Sequence, residues 1–415
     1  MASDVLIIGA GLTGLSCANT LTRAGVSNVI LEADDDVGGR ARTDKVDGFL
    51  LDRGFQVFST AYPEARRTLN YESLKFKSFY PGALVRFSGT FHRISDPFRH
   101  PLHALQSMTN PIGTMGDKFR VAAWRRRVLA GSVGDLFQRT ETTTLTHLQS
   151  MGFSNIIIDR FFRPFLGGVF MDQQLTTSSH MADFAFRMFA SGDIALPEKG
   201  IGSLAQQLAT NLGFEKIRTG EKVIRLQGTS VTLESGEQLT GRVVVLATEG
   251  HATTRLIPHR TNRPYHQSTC LYFSAPEPPM IGPYLILNGA KTGVINSVCV
   301  LTEVTRSYAP DNQHLVSVTT FENSITEEST IAKAVRSQLL EWFGEQVRNW
   351  KLLQSYHISE AQPHQSPASH TSHPSPSQYP ESVYVCEDTR TTATFEGALS
   401  SGRSTAEAIM NKLHI

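Results

Sequence analysis

The sequence predicts an α/β fold: a doubly wound parallel sheet into which an α+β region, part mixed sheet and part helical, is inserted. Three observations carry this. Asp4-Val5-Leu6-Ile7-Ile8, a buried-strand pattern, runs without a gap into a glycine turn and a helical period. Short β-branched segments separated by turn residues come after Lys222. After long stretches of different pattern, a strand and helix from Val383 to about Met410 return to the first kind of unit.

With 415 residues the chain has length for two or three domains. Its hydrophobic content is 40%, its charged content 19% and its formal net charge +1, so no attraction to nucleic acid is expected. Cys17, Cys270, Cys299 and Cys386 lie far apart without CxxC or CxxH spacing, which predicts reduced thiols and no metal site. No apolar run reaches the roughly 18 residues that span a bilayer, and the run at Val5 starts too early for a signal peptide. A cytoplasmic location, free or peripheral to a membrane, is the expectation.

Gly9-Ala10-Gly11-Leu12-Thr13-Gly14 is a dinucleotide fingerprint in the context it requires. Gly9 permits the tight turn, Gly11 lets backbone approach a pyrophosphate, and Gly14 lets the helix pack on the strand. The phosphates would then sit at the helix N-terminus beside Leu12 and Thr13. Leu12, Leu15, Ala18 and Leu21 recur at helical spacing, with Gly25 beyond the end. Val29-Ile30-Leu31 reads as the next strand, and Glu32 after it suits a ribose 2′-hydroxyl.

NAD and FAD share this unit, so the choice between them rests on the chain beyond Glu32. Gly38-Gly39-Arg40-Ala41-Arg42-Thr43 comes soon after it, then Gly48 to Gln56 with Asp52-Arg53-Gly54-Phe55-Gln56 at its end. Paired glycines admit a close ligand, and Arg40 can grip a phosphate through two hydrogen bonds. Here the chain resembles the flavin-containing amine oxidase superfamily, which also holds protoporphyrinogen oxidases and carotenoid desaturases. The resemblance implies non-covalent FAD, with Gly39 and Arg40 crossing its diphosphate and Gly54, Phe55 and Gln56 leading to the ring.

Two further segments match the family. Lys222 to Leu226, Val231 to Leu233 and Val243 to Thr248 read as short strands, and the position of Val223 implies a backbone contact to adenine. At the far end, Asp388 matches the family's closing acid, although Glu387 replaces its usual glycine. Gly397, Ala398 and Gly402 match the small residues of the closing helix, whose N-terminus is expected to face the ribityl chain and pyrimidine edge. The expected division is an FAD-binding domain of residues 1–55, 199–255 and 380–415. Residues 56–198 and 256–379 form a substrate domain, helical over about 60–190 and a sheet over about 265–345.

Thr269 to Phe273, Tyr284 to Leu287, Gly293 to Leu301 and Leu315 to Thr319 read as strands of that sheet. Phe161 to Phe170 has the aromatic and aliphatic content of a lipophilic tunnel, and equally of an ordinary core helix. Lys118 to Leu129 mixes basic and apolar residues, as a segment resting on a membrane surface would, or as a solvated helix face would. His357, His364, His370 and His373 lack metal-ligand spacing and read as a Ser/Pro/Gln-rich loop. Some amine-oxidising members place a lysine near flavin N5, and Lys291 is the one candidate for a catalytic residue.

The reaction implied is dehydrogenation, with hydride or its equivalent passing to flavin N5 and then to oxygen, a quinone or another acceptor. An oxidoreductase that dehydrogenates, desaturates or isomerises a small, apolar, isoprenoid-like molecule leads. An amine oxidase acting on a C–N bond and a non-enzymatic flavin-binding protein are the alternatives.

Overall fold

The computed structural model describes residues 4–102, 110–257, 264–321, 328–367, 377–379, 382–386 and 392–414. Val5–Ile8 lies inside a six-stranded sheet in the order Ile217–Arg218, Asn28–Leu31, Val5–Ile8, Val243–Leu246, Val383–Val385, Ser377–Tyr379. All neighbours run parallel except the last pair. A parallel sheet must be covered on both faces, and alternation along the strand divides the labour. Val5 and Ile7 pack with the helices Leu12–Arg23, Ser203–Leu212 and Phe395–Leu413. Leu6 and Ile8 pack with Val231 and Leu233 of a three-stranded antiparallel sheet, Val223–Gln227, Ser230–Leu233 and Gln238–Thr240.

The second large sheet has seven strands in the order Lys351–Pro363, Tyr265–Ala275, His314–Thr320, Ile295–Val300, Leu285–Asn288, Gly82–Phe87, Thr90–Ser95. Ile331, Val335 and Leu339 of the helix Glu328–Phe343 cover one face, against Phe273, Val316 and Val318. Across the cavity from the other face stand the helices Met115–Leu129, Arg163–Phe170 and Ser179–Ser191. Trp124, buried among them, donates its indole N–H to Asp183 at 2.6 Å and stacks on Phe186 at 3.9 Å. Arg139 and His147 also meet that carboxylate, at 2.8 and 3.0 Å, so a buried charge is fully engaged.

Two sequence expectations need correction. The first insertion is not wholly helical, because Gly82–Ser95 forms a hairpin that extends the second sheet. The stretch read as a histidine-bearing loop begins as the edge strand Lys351–Pro363, with His357 Nδ1 3.2 Å from Thr269 Oγ1. His364 stacks on His266 with centroids 3.7 Å apart; His370 and His373 lie outside the described residues. Among the described residues no group of acids, histidines and cysteines is arranged to hold a metal, and no helix is long and apolar enough to cross a membrane. The four cysteines are buried and unbridged.

Candidate active site

A cavity of about 1600 Å³ runs from the carboxyl ends of the parallel strands to the helical region. That exceeds the ~300–1,000 Å³ of an ordinary small-molecule pocket and leaves room for a dinucleotide and a second molecule. Its first wall is the glycine turn. Gly9 has φ +104°, and a Cβ on it would stand 2.7 Å from Ala247 O. A Cβ on Gly14 would collide with Gly9 O, whereas one on Gly11 would meet nothing within 4 Å. The turn is therefore closed towards the sheet and open towards the cavity. No side chain caps the helix that begins at Leu12, and Leu12 and Thr13 both line the cavity, so its first-turn amides suit an anion.

Glu32 lines the same wall. Its Oε2 accepts from Ala10 N at 2.6 Å and its Oε1 from Asp34 N at 2.9 Å, which fixes the turn and leaves lone pairs for hydroxyls. Gly38 N donates to Ala10 O at 2.9 Å, and Gly39 packs against Gly11, so the two glycine segments make one surface. Arg40 lines the cavity, with Nη1 3.3 Å from Ala361 O and Nε 4.0 Å from Glu249. Arg42 turns away to Asp34 and Asp35. Gln56 Nε2 donates to Arg40 O at 2.8 Å and so joins this segment to Gly54 and Phe55, which also line the cavity.

Behind the turn stands Asp52, whose weight the sequence did not disclose. It accepts from Thr43 Oγ1 (2.6 Å), Ile201 N (2.9 Å) and Tyr308 OH (3.0 Å), while Tyr272 OH donates to its backbone oxygen (2.8 Å). Burial raises its carboxyl to about 6 against the pull of those donors. The group ties the residue 43–52 hairpin to residue 201 and to the second sheet, behind the surface that Gly54 and Phe55 present.

The closing helix completes the cofactor wall. Thr394 caps it by accepting from Gly397 N at 3.2 Å, and Ala398 faces the cavity. Ser16 Oγ donates to Leu399 O at 2.7 Å where this helix crosses the opening one. Glu396 accepts from Glu64 N and Ala65 N, both at distances near 3 Å, and burial pushes its carboxyl up to about 7. Val223 lines the cavity in the segment that Glu221 N ties to Glu32 O at 2.7 Å. Asp388 lies outside the described residues.

The second arm is built by the helical region. A π-helical turn at Ile158–Phe162 leads into Arg163–Phe170, so that Phe161, Phe165, Gly168 and Val169 face the cavity while Phe162 and Leu166 enter the core. Phe161 stacks on Phe165 at 5.2 Å, and Phe189 lies 5.1 Å from Phe165. Every cavity-lining residue between Phe161 and Phe189 is apolar. Facing it from the sheet, Asn296 Nδ2 donates to Pro164 O at 3.1 Å beside Gly168, and Ser297 and Thr319 add further polar groups to the wall.

Lys291 is not brought to this cavity. It is half-exposed, outside the lining, and its Nζ is 2.7 Å from Asp159, which removes the geometric reason to consider it catalytic. The basic segment from Lys118 also differs from a flat amphipathic helix, since Trp124 and Val128 are core residues and Phe119 points outward.

Comparison with known proteins accords with this geometry. The family model for flavin containing amine oxidoreductase matches residues 12–410. Protoporphyrinogen oxidase 2 of Arabidopsis thaliana is 24% identical over 204 residues, 48% of this chain and 37% of that protein. A 15-cis-phytoene desaturase of an Oncidium hybrid is 45% identical over 65 residues, 15% of this chain and 11% of that protein. The sequence matches thus span 37% or less of those relatives' length. The solved structure of cyclohexylamine oxidase from Brevibacterium oxydans superposes with a TM-score of 0.69 at 17% identity, covering 100% of both chains. The glycine turn, the uncapped helix and the cavity fit a flavin dinucleotide, and the chain belongs to the flavin-containing amine oxidoreductase family, with FAD as its cofactor.

Proposed function

We propose that this protein is an FAD-dependent oxidoreductase that dehydrogenates, desaturates or isomerises a small apolar, isoprenoid-like molecule. The observation that carries the substrate class is the arm built by residues 161–189, every lining side chain of which is apolar, with no carboxylate among them and the Asn296 amide N–H facing it already given to Pro164 O. An amine would enter as a cation and lose its hydration there without a compensating partner.

In this reading Gly9, Gly11, Leu12 and Thr13 cradle the diphosphate, Gly14 seats the helix against the strand behind them and is not itself on the cavity wall, and Gly39 and Arg40 lie on the other side. Glu32 takes the ribose hydroxyls, Val223 the adenine, and Gly54, Phe55, Gln56 and Ala398 surround the ring end, with Gly397 buried behind Ala398 in the helix cap; a role for Asp388 rests on the family resemblance alone. The division into a cofactor domain (1–55, 199–255, 380–415) and a substrate domain (56–198, 256–379) goes with it. The bound flavin supplies acceptance of hydride or its equivalent from a C–H bond, and oxygen or a quinone takes the electrons onward. The protein's own part is positional. Phe161, Phe165 and Phe189 exclude water and hold an apolar chain by shape, while Asp52 and Gln56 fix the backbone beside the reacting end.

The test is mass spectrometry of ligands that copurify with the holoenzyme, followed by their anaerobic addition to it. An apolar compound that bleaches the flavin absorbance supports the reading. A polyamine or other cationic amine that does so in its place transfers the protein to the amine oxidases, and bleaching by neither class favours a non-enzymatic flavoprotein.

A further inference from the structure

We propose that the outer mouth of the cavity is a docking surface for an anionic lipid bilayer, from which an apolar substrate enters directly; the entry route rests on the substrate class above, the docking does not. The rim is made by two segments that meet at the mouth. Phe98 (58% exposed), Met115 (42%) and Phe119 (73%) line the cavity and face solvent at once, and Leu102 (79%) lies just beyond. Met115 and Phe119 are one turn apart on the helix Met115–Leu129 and so share a face. The Arg125 guanidinium of that helix sits 4.6 Å from the centroid of the Phe98 ring and backs it from the protein side. Of the nine large hydrophobic side chains exposed among the described residues, three line this opening and a fourth, Leu102, follows the lining residue Pro101 in the chain.

Charge supplies the identity of the occupant. The whole chain carries a formal charge of only +1, yet this helix holds Lys118, Arg120, Arg125, Arg126 and Arg127 against a single acid, Asp117, which is buried and serves the helix cap. Of the neighbouring acids, Asp96 is engaged by Arg99 and Arg125, and Asp135 by Ser132 N. The outer face is therefore aromatic at the mouth and cationic beside it, with Arg126 and Arg127 exposed. A second copy docking through a twofold axis would set like charges against each other, whereas anionic headgroups complement the cations and accept the aromatic rings.

The experiment is cosedimentation of the FAD-loaded protein with vesicles of phosphatidylcholine alone or with phosphatidylglycerol added, without substrate. Binding to the anionic vesicles is expected to exceed binding to the neutral ones and to weaken with salt. It should fall about tenfold or more in Phe98→Ser/Phe119→Ser and in Arg126→Gln/Arg127→Gln. Both double variants alter exposed side chains, and an unchanged melting temperature and flavin content verifies their fold. Equal binding to both vesicle types, no binding by the parent protein, or parent-like binding by both variants overturns the docking surface. So does a dimer of the parent protein that Phe98→Ser/Phe119→Ser dissolves while leaving vesicle binding intact. The two readings fail separately, because anaerobic bleaching by an apolar compound in detergent requires no bilayer and vesicle binding requires no substrate.

Discussion

Substituting Gly402 by alanine probes the joint on which the cofactor wall depends. A Cβ at that position would fall 2.7 Å from Ser16 Cβ and 2.9 Å from Cys17 N, and would collide with Thr13 O. Carbon contacts settle near 3.5–4.0 Å, so the two helices must part by about 1 Å. Overpacking of that kind costs about 1–3 kcal/mol, and the strain is concentrated because two of the three atoms belong to helix backbone. The parting also stretches the 2.7 Å bond from Ser16 to Leu399 and moves Thr13 relative to Ala398, two parts of the proposed FAD wall. Gly402→Ala should therefore lower both the melting temperature, by about 2 °C or more, and the flavin retained on purification. Gly134→Ala is the control: it lies in a short exposed helix with only Ser132 Oγ near its Cβ, at 3.6 Å, and should be neutral or stabilising by up to about 1 kcal/mol. A Gly402→Ala protein that melts and holds flavin like the parent refutes the close crossing.

Other outcomes come from the same geometry. Glu32→Ala removes the acceptor for Ala10 N and Asp34 N, and at about 1.5–3 kcal/mol for a charged acceptor it should weaken FAD roughly 10- to 150-fold by fluorescence titration. Asp52 and Glu396 are both held above their ordinary values, to about 6 and about 7, by burial. The stability they contribute is thus complete below those ordinary values and is lost as pH rises through about 6 and about 7, so Asp52→Asn and Glu396→Gln should flatten the melting temperature between about pH 4 and 7, the window of the shifts. A variant pair that keeps the parent's slope would show that other groups govern it. Lys291→Met breaks a half-exposed ion pair and should change stability by under about 1 kcal/mol and leave flavin reduction intact; a severe loss of reduction rate would restore Lys291 as a catalytic candidate.

The glycine turn was legible because the backbone there admits almost nothing else. Gly9 holds a positive φ and Gly14 has no space for a side chain, so sequence and geometry state the same requirement. The strands from Tyr265 to Thr320 were legible because their runs of apolar and β-branched residues are buried on both faces. Other strands are marked by their turns more than by their own pattern. Asp47-Gly48 and Ser88-Gly89 are two-residue turns with positive φ throughout, between the paired strands 43–46 and 49–52 and the paired strands 82–87 and 90–95. Lys351–Pro363 is an edge strand with a largely half-exposed face, so no period of two stands out from its polar residues. The apolar arm was half legible. Phe161 and Phe165 face the cavity while Phe162 and Leu166 enter the core, at ordinary helical spacing, but with apolar residues on both stripes the sequence could not tell a tunnel wall from a core helix.

The crossing of the opening and closing helices also sets an order of events during synthesis. Ser16 and Leu399 are 383 residues apart in the chain. At about 5–20 residues per second, the partner of the opening helix emerges roughly 20–80 seconds after it. During that interval the glycine turn can form beside its neighbouring strands, but the face of the helix that Gly402 will occupy stays uncovered. Flavin loading is then expected to be a late step that fastens a nearly finished chain, and a ribosome stalled before Phe395 should expose nascent protein that binds FAD weakly and is readily cleaved.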